Sequence, residues 1–372
     1  MPEIFFHNDP FTLESGIQLP RYHLAYTTYG KLNADGNNVV WVFHALTANS
    51  NADEWWPGLV GEGKVFDPAN YFIVCVNMPG SCYGSIGPLD EMPVDLQGND
   101  GVSRGETSWY HTFPFFTPRD MIRSYMPLRK MLGIKKINVG IGGSMGGQQL
   151  LEWAIEEPQL FEYIFPIATN AFHSPWAIAF NATQRLCIET DATWITDDPE
   201  AGMQGMKVAR AVALISYRNY DTYQLSQAES SNELLDHFKS ESYQRYQGEK
   251  LARRFNAFSY YKLSQGMDAH NVARSRGRVT DALGEISAKT LVIGVETDIL
   301  FPVSEQQFLA EHIRGAAFKM ITSLFGHDGF LLEYEQIEKL IVSFMKEGVV
   351  QNVSSESNSY QQPSADKVQT IT

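Results

Sequence analysis

The stretch KINVGIGGSMGGQQLLEW, residues 136–153, limits what this chain can fold into more than any other. Its first half is short and apolar, as a strand buried on both faces would be. Its second half is a helix former that runs to Pro158. Between them Ser144 stands in the pattern Gly142-Gly143-Ser144-Met145-Gly146. A strand, Gly-x-Ser-x-Gly and a helix in immediate succession form a nucleophile elbow, a turn so sharp that side chains two residues either side of the serine would collide. The turn lifts the hydroxyl to the carboxyl end of the sheet. There the N-terminus of the helix favours developing negative charge. Two phosphate-binding alternatives fail on the same residues. The third glycine of a dinucleotide fingerprint would fall on Met145, and no Gly-Lys-Ser/Thr follows for a P-loop.

The rest of the chain supplies a setting for that turn. Residues 1–35 alternate like a β meander, and NVVWVFHAL (38–46), YFIVCVNMPG (71–80) and EYIFPIAT (162–169) read as further buried strands. FTPRDMIRSYMPLRKMLGI reads as a helix with Thr117 as N-cap, Pro118 in the first turn and Asp120 three residues after the cap. From about 173 to 281 the texture becomes helical and more polar. EISAKTLVIGVETD (285–298), FKMITS (318–323) and EQIEKLIVSFMKEG then restore the strand–helix alternation. The expected fold is α/β, a mostly parallel central sheet flanked by helices. Its core spans 1–172 and 282–350, with a helical lid insertion at 173–281. The polar, Ser/Gln-rich residues 351–372 read as a disordered tail.

A serine needs a base, and the base an orienting acid. In the α/β-hydrolase fold, which the elbow implies, they follow in the order serine, acid, histidine. LVIGVETDILFP places Asp298 just after a late strand, with Glu296 as a rival. SLFGHDGFLLE places His327 in a loop after the last strand. Among histidines beyond Asp298 the other is His312, inside the helical run SEQQFLAEHIRG. The oxyanion hole calls for two backbone N–H donors, Met145 after the nucleophile and Leu46 in the loop FHALTAN. His44 precedes Ser144 and is expected to shape that loop.

Charge and composition exclude several functions. A formal net charge of −14 does not suit a nucleic-acid or anionic-membrane partner. No apolar run approaches transmembrane length, and MPEIFFHNDP does not read as a signal peptide. Three cysteines, Cys75, Cys82 and Cys187, suggest no disulfide framework, so a reducing cytoplasm is expected. No metal-binding spacing is present, and no metal is expected.

Beyond the elbow, LAYTTYGKLN, HALTANS, WWPGLVGEGKVFD, YFIVCVNMPGSCYGSIGP, FPFFTPRDMIRS, GIGGSMGGQQLLEWA, ATNAFHSPWAIAFNATQR and GHDGFLLE occur in order across roughly residues 15–340. Together they resemble the homoserine O-acetyltransferase family of the α/β-hydrolase superfamily. The resemblance implies a two-step transfer that serves methionine biosynthesis. Ser144 would take an acetyl group from acetyl-CoA as co-substrate, and His327 would then activate the hydroxyl of L-homoserine. It also implies that Arg210 binds the α-carboxylate, with Tyr217 seven residues on along the same helical face, and that Asp328 receives the α-amino group. Family members pair through the insertion, so a homodimer is expected. ANSNADEWW and GPLDEMPVD depart from the family blocks and line the approach to the acyl pocket. They leave succinyl-CoA open as donor and L-serine as acceptor, and a serine esterase on the same triad is the competing reading. Arg274, Arg276 and Arg278 in NVARSRGRV are candidates to meet the phosphates of CoA.

Overall fold

A computed structural model describes residues 2–93 and 107–347. The expected tail at 351–372 lies outside the described residues, as does part of the divergent GPLDEMPVD segment.

The chain opens with strands β1 (Glu3–His7), β2 (Phe11–Thr12), β3 (Gln18–Leu19), β4 (Tyr22–Tyr29) and β5 (Val39–Phe43). A short helix α1 (Ala52–Trp55) precedes β6 (Phe72–Val76), and α2 (Pro118–Met131), β7 (Ile137–Gly143), α3 (Met145–Glu156) and β8 (Phe161–Ile167) follow. Six helices come next: α4 (Pro175–Glu189), α5 (Met203–Tyr217), α6 (Tyr220–Gln227), α7 (Lys239–Ala252), α8 (Ala257–Asp268) and α9 (Val279–Gly284). The chain then returns to the sheet with β9 (Lys289–Val295), α10 (Val303–His312), β10 (Ala317–Ile321), α11 (Gly329–Leu332) and α12 (Tyr334–Glu347).

Eight strands form one sheet in the order β1-β4-β6-β5-β7-β8-β9-β10. The pairs β1–β4 and β4–β6 are antiparallel; every later pair is parallel. This is the α/β-hydrolase architecture that the sequence implied. The opening meander is less regular than its alternation suggests, because β2 and β3 pair apart from the main sheet.

All five residues of β5 are buried, which explains its unbroken apolar run. Val39, Trp41 and Phe43 pack on one face with α2 and α3, while Val40 and Val42 join Trp56, Ile337, Ile341 and Phe344 on the other. α2 begins with the expected reciprocal cap. Thr117 Oγ1 accepts from the Asp120 N–H at 3.1 Å, and the Asp120 carboxylate accepts from the Thr117 N–H at 3.1 Å. β5 ends at Phe43, three residues short of the expected Leu46, and frees residues 44–51 to form a loop over the elbow.

Candidate active site

The elbow is built as its glycines require. Ser144 has φ +57° and ψ −126°, a strained setting for a residue with a side chain. A Cβ on Gly142 would lie 2.6 Å from the backbone of Gly146, and one on Gly146 would lie 2.1 Å from the Phe43 carbonyl oxygen. The second clash is with the end of β5 and could not be foreseen from the turn alone. Hydrogen bonds hold the strained residue. Ser144 N–H donates to Ile167 O at 3.0 Å, and Thr169 Oγ1 donates to Ser144 O at 2.8 Å.

His327 and Asp298 meet at the carboxyl ends of β9 and β10. His327 Nδ1 lies 2.6 Å from Asp298 Oδ2, while Asp298 Oδ1 accepts from the Leu300 and Phe301 N–H groups at 2.8 and 2.9 Å. A carboxylate with three donors is firmly oriented. It leaves Nε2 as the nitrogen of His327 that can take a proton. The imidazole stacks on Phe301 at 5.0 Å between centroids and packs edgewise on Phe330 at 5.3 Å. Glu296, the rival acid, has an exposed side chain. His312 ends α10 and bonds back to Phe308 O at 2.8 Å.

A cavity of about 550 Å³ joins these groups. Ser144, His327, Asp328, Leu46, Arg210 and Tyr217 all line it. Met145 is buried beneath, at the first turn of α3. The Arg210 guanidinium sits 5.3 Å from the Tyr217 ring centroid, so the expected shared helical face is real. Burial pushes the Tyr217 hydroxyl's pKa up and outweighs the opposing pull of Arg210, so it remains a donor at neutral pH.

The loop that carries Leu46 is fixed from beneath. His44 is buried, its Nε2 accepts from the Met78 N–H at 3.0 Å, and Nδ1 therefore carries the proton that meets Ala45 O at 2.9 Å. Burial lowers its pKa to about 4, so it is neutral and serves the loop. Asn77 accepts from the Ser50 N–H at 2.8 Å and donates to Tyr83 O at 2.8 Å, tying this loop to the next.

Two groups near the site were not anticipated. Arg218 is buried and its guanidinium makes an ion pair with Asp328, so the carboxylate is already held by a cation. Its position directly after Tyr217 was the available signal. Glu305, in the first turn of α10, accepts from Asn170 Nδ2 at 3.0 Å. Burial, with the charge of Asp298 adding to it, raises Glu305 to about 7.

Arg274, Arg276 and Arg278 are not at the cavity. Arg274 pairs with Glu14 at 2.9 Å, Arg276 with Glu152 at 2.6 Å and Arg278 with Asp281 at 2.7 Å. The first two belong with Arg119 to a network that braces α2 and α3. The sequence shows the arginines as a cluster and hides the distant acids, Glu14 and Glu152, that neutralise the first two. Among the described residues no group of His, Cys, Asp and Glu is placed to hold a metal ion, and no helix is long and apolar enough to cross a membrane.

With this geometry in place, likeness to known proteins carries weight. The profile of the alpha/beta hydrolase fold matches residues 38–334, and the chain belongs to that class. A homoserine O-acetyltransferase of Cyclobacterium marinum is 48% identical over 93% of this chain and 95% of its own length. The chain is therefore a member of the homoserine O-acetyltransferase family. The crystal structure of a homoserine O-acetyltransferase from Bacillus anthracis superposes with a TM-score of 0.83 at 22% identity, covering 96% of this chain and 99% of the other. Esterase E22 superposes almost as well, with a TM-score of 0.81 at 21% identity over 93% of this chain and 99% of its own. The fold alone is thus shared by transferases and esterases.

Proposed function

We propose that the protein is a homoserine O-acetyltransferase that moves an acetyl group from acetyl-CoA to the hydroxyl of L-homoserine, a step toward methionine. The observation that carries this reading is the cavity itself, which presents opposite charges, Arg210 and Asp328, beside Ser144 and His327. That pair suits a zwitterionic acceptor and has no task in simple ester hydrolysis. The 48% identity to the Cyclobacterium marinum enzyme supports it.

The chemistry runs in two halves. His327 Nε2 takes the proton of Ser144 as Oγ attacks the thioester carbonyl. The tetrahedral oxyanion faces the N–H groups of Leu46 and Met145, each such donor being worth roughly 10²–10³ in turnover. Collapse breaks the C–S bond, His327 returns the proton to the leaving thiolate, and an acetyl ester of Ser144 remains. In the second half Arg210 and Tyr217 bind the acceptor α-carboxylate and Asp328 its ammonium group. His327 deprotonates the acceptor hydroxyl, which attacks the ester and regenerates the serine. No metal or resident cofactor takes part.

The helices between β8 and β9 form a lid over this site. Exposed Trp176, Leu186, Val208 and Ile215 on α4 and α5 fit pairing of two copies through that lid. Three free cysteines fit a reducing cytoplasm.

Thiol release from acetyl-CoA or succinyl-CoA, with homoserine, serine or no acceptor, tests the assignment. Release that requires homoserine and acetyl-CoA is expected. Efficient release with no acceptor, or turnover of simple esters alone, would favour the hydrolase reading that the likeness to esterase E22 keeps in view.

A further inference from the structure

With Arg274, Arg276 and Arg278 removed from consideration, the part of the protein that meets the charged end of the acyl donor has to be found elsewhere. A cavity of about 550 Å³ is on the scale of one small ligand. The nucleotide end of a CoA thioester therefore lies at its mouth. In a chain of net charge −14, that end is repelled by most of the surface. A local group of uncommitted cations is required.

The geometry points to Lys250 and Arg254 as the phosphate-binding pair for the CoA donor, an inference that rests on the acyltransferase reading above. Gln247, Lys250, Leu251 and Arg254 all line the cavity, at spacings of three, four and seven residues. One face of α7 and the second residue beyond its end therefore look onto the site. Lys250 is exposed and, among the described residues, forms no ion pair; its Nζ lies 6.0 Å from the Tyr246 ring centroid. Arg254 is likewise without a carboxylate partner among the described residues. One of its terminal nitrogens, Nη1, donates to Thr47 O at 2.6 Å and meets the Tyr83 hydroxyl. Nε and Nη2 are left to face a ligand.

Most arginines outside the cavity behave differently. Arg119, Arg123, Arg129, Arg185, Arg245 and Arg276 each have a carboxylate. Arg210, Lys250 and Arg254 line the cavity with no carboxylate partner among the described residues. The acid on this part of the wall is Glu54, which accepts from Asn51 Nδ2 at 3.1 Å.

The test compares acetyl-CoA with S-acetylpantetheine, which carries the same thioester without the nucleotide. The proteins are the wild type, Lys250→Glu, and Lys250→Glu combined with Arg254→Gln. For acetyl-CoA, KM is expected to rise at least tenfold in the double variant and to lose its dependence on added salt. The loss in kcat/KM with S-acetylpantetheine is expected to stay below threefold, and KM for homoserine to hold. Calorimetric titration with adenosine 3′,5′-bisphosphate should show binding to the wild type and none to the double variant. Equal losses with both thioesters, or unchanged binding of the bisphosphate, would overturn the assignment. A wild type that uses neither thioester would instead defeat the acyltransferase reading, and the bisphosphate titration would still decide the phosphate site.

Discussion

Asp298→Asn is the substitution whose effect follows most directly from the geometry. Asp298 accepts three hydrogen bonds, two on Oδ1 from the backbone of Leu300 and Phe301 and one on Oδ2 from His327. An asparagine can keep the first two, because its carbonyl oxygen fits the Oδ1 position. Its amide nitrogen then occupies the Oδ2 position and offers a proton where His327 Nδ1 also had one. The imidazole must move its proton to Nε2 to accept that bond. Nε2, the nitrogen proposed above to take the Ser144 proton, then becomes a donor and is no longer a base. The expected loss is about 10⁴ in kcat, or about 5.5 kcal/mol of transition-state stabilisation. Stability should change by less than about 1 kcal/mol, since the backbone bonds survive and no cavity opens. Initial rates of thiol release, paired with urea unfolding of the same samples, measure both quantities. Activity within tenfold of wild type, in a protein of unchanged stability, would refute the assignment of Asp298 as the orienting acid.

Replacing Arg210 with Met should raise KM for homoserine roughly thirty- to hundredfold, the worth of about 2–3 kcal/mol for charge-assisted bonds to a carboxylate, and leave KM for acetyl-CoA unchanged in a two-substrate rate analysis. Arg218→Met should weaken homoserine binding through Asp328, and Arg218→Lys should restore part of it; equal KM values in all three proteins would separate Arg218 from the site. Gly146→Ala puts a Cβ 2.1 Å from the Phe43 carbonyl, and denaturant unfolding should show a loss of about 3 kcal/mol or more. Acid unfolding should be governed by buried histidines. Burial lowers His44 to about 4 and His173 and His270 to about 3, so all three stay neutral in the fold and take up protons when the chain unfolds. Stability therefore falls as pH drops below about 6.5, while Glu305, raised to about 7, releases a proton on unfolding and works in the opposite direction. Unfolding near pH 5 should take up about two protons from these four groups, measurable as the slope of stability against pH.

Much of this was legible because the decisive signals are local. The elbow declares itself through glycine spacing between a strand and a helix. The cap at Thr117 spans four residues, and the buried strands announce themselves as apolar runs. That Asp298 and His327 come together was legible because chain order in this fold is fixed. What stayed hidden depends on partners far apart in sequence. Nothing near Arg274 or Arg276 reveals Glu14 or Glu152, so a network that braces two helices looked like a free basic cluster. Arg218 could not be distinguished from a solvated helix end until Asp328 was seen against it. Lys250 and Arg254 carry no sequence pattern that sets them apart from other cations without a nearby carboxylate.

The whole helical lid leaves the sheet after Ile167 and re-enters at Lys289, on strands that are neighbours. In chain-entropy terms this arrangement is forgiving. Closing a loop grows more costly only with the logarithm of its length, about 0.6 kcal/mol for each doubling. The sheet can therefore carry a lid of very different length between β8 and β9 at little expense to its own stability. Ser144 lies before that gap and Asp298 and His327 after it, so the proposed reacting groups keep their spacing whatever the gap contains. Arg210, Tyr217, Lys250 and Arg254 all lie within it. Most of the side chains proposed to meet substrate can thus change within a segment whose length the rest of the fold scarcely feels.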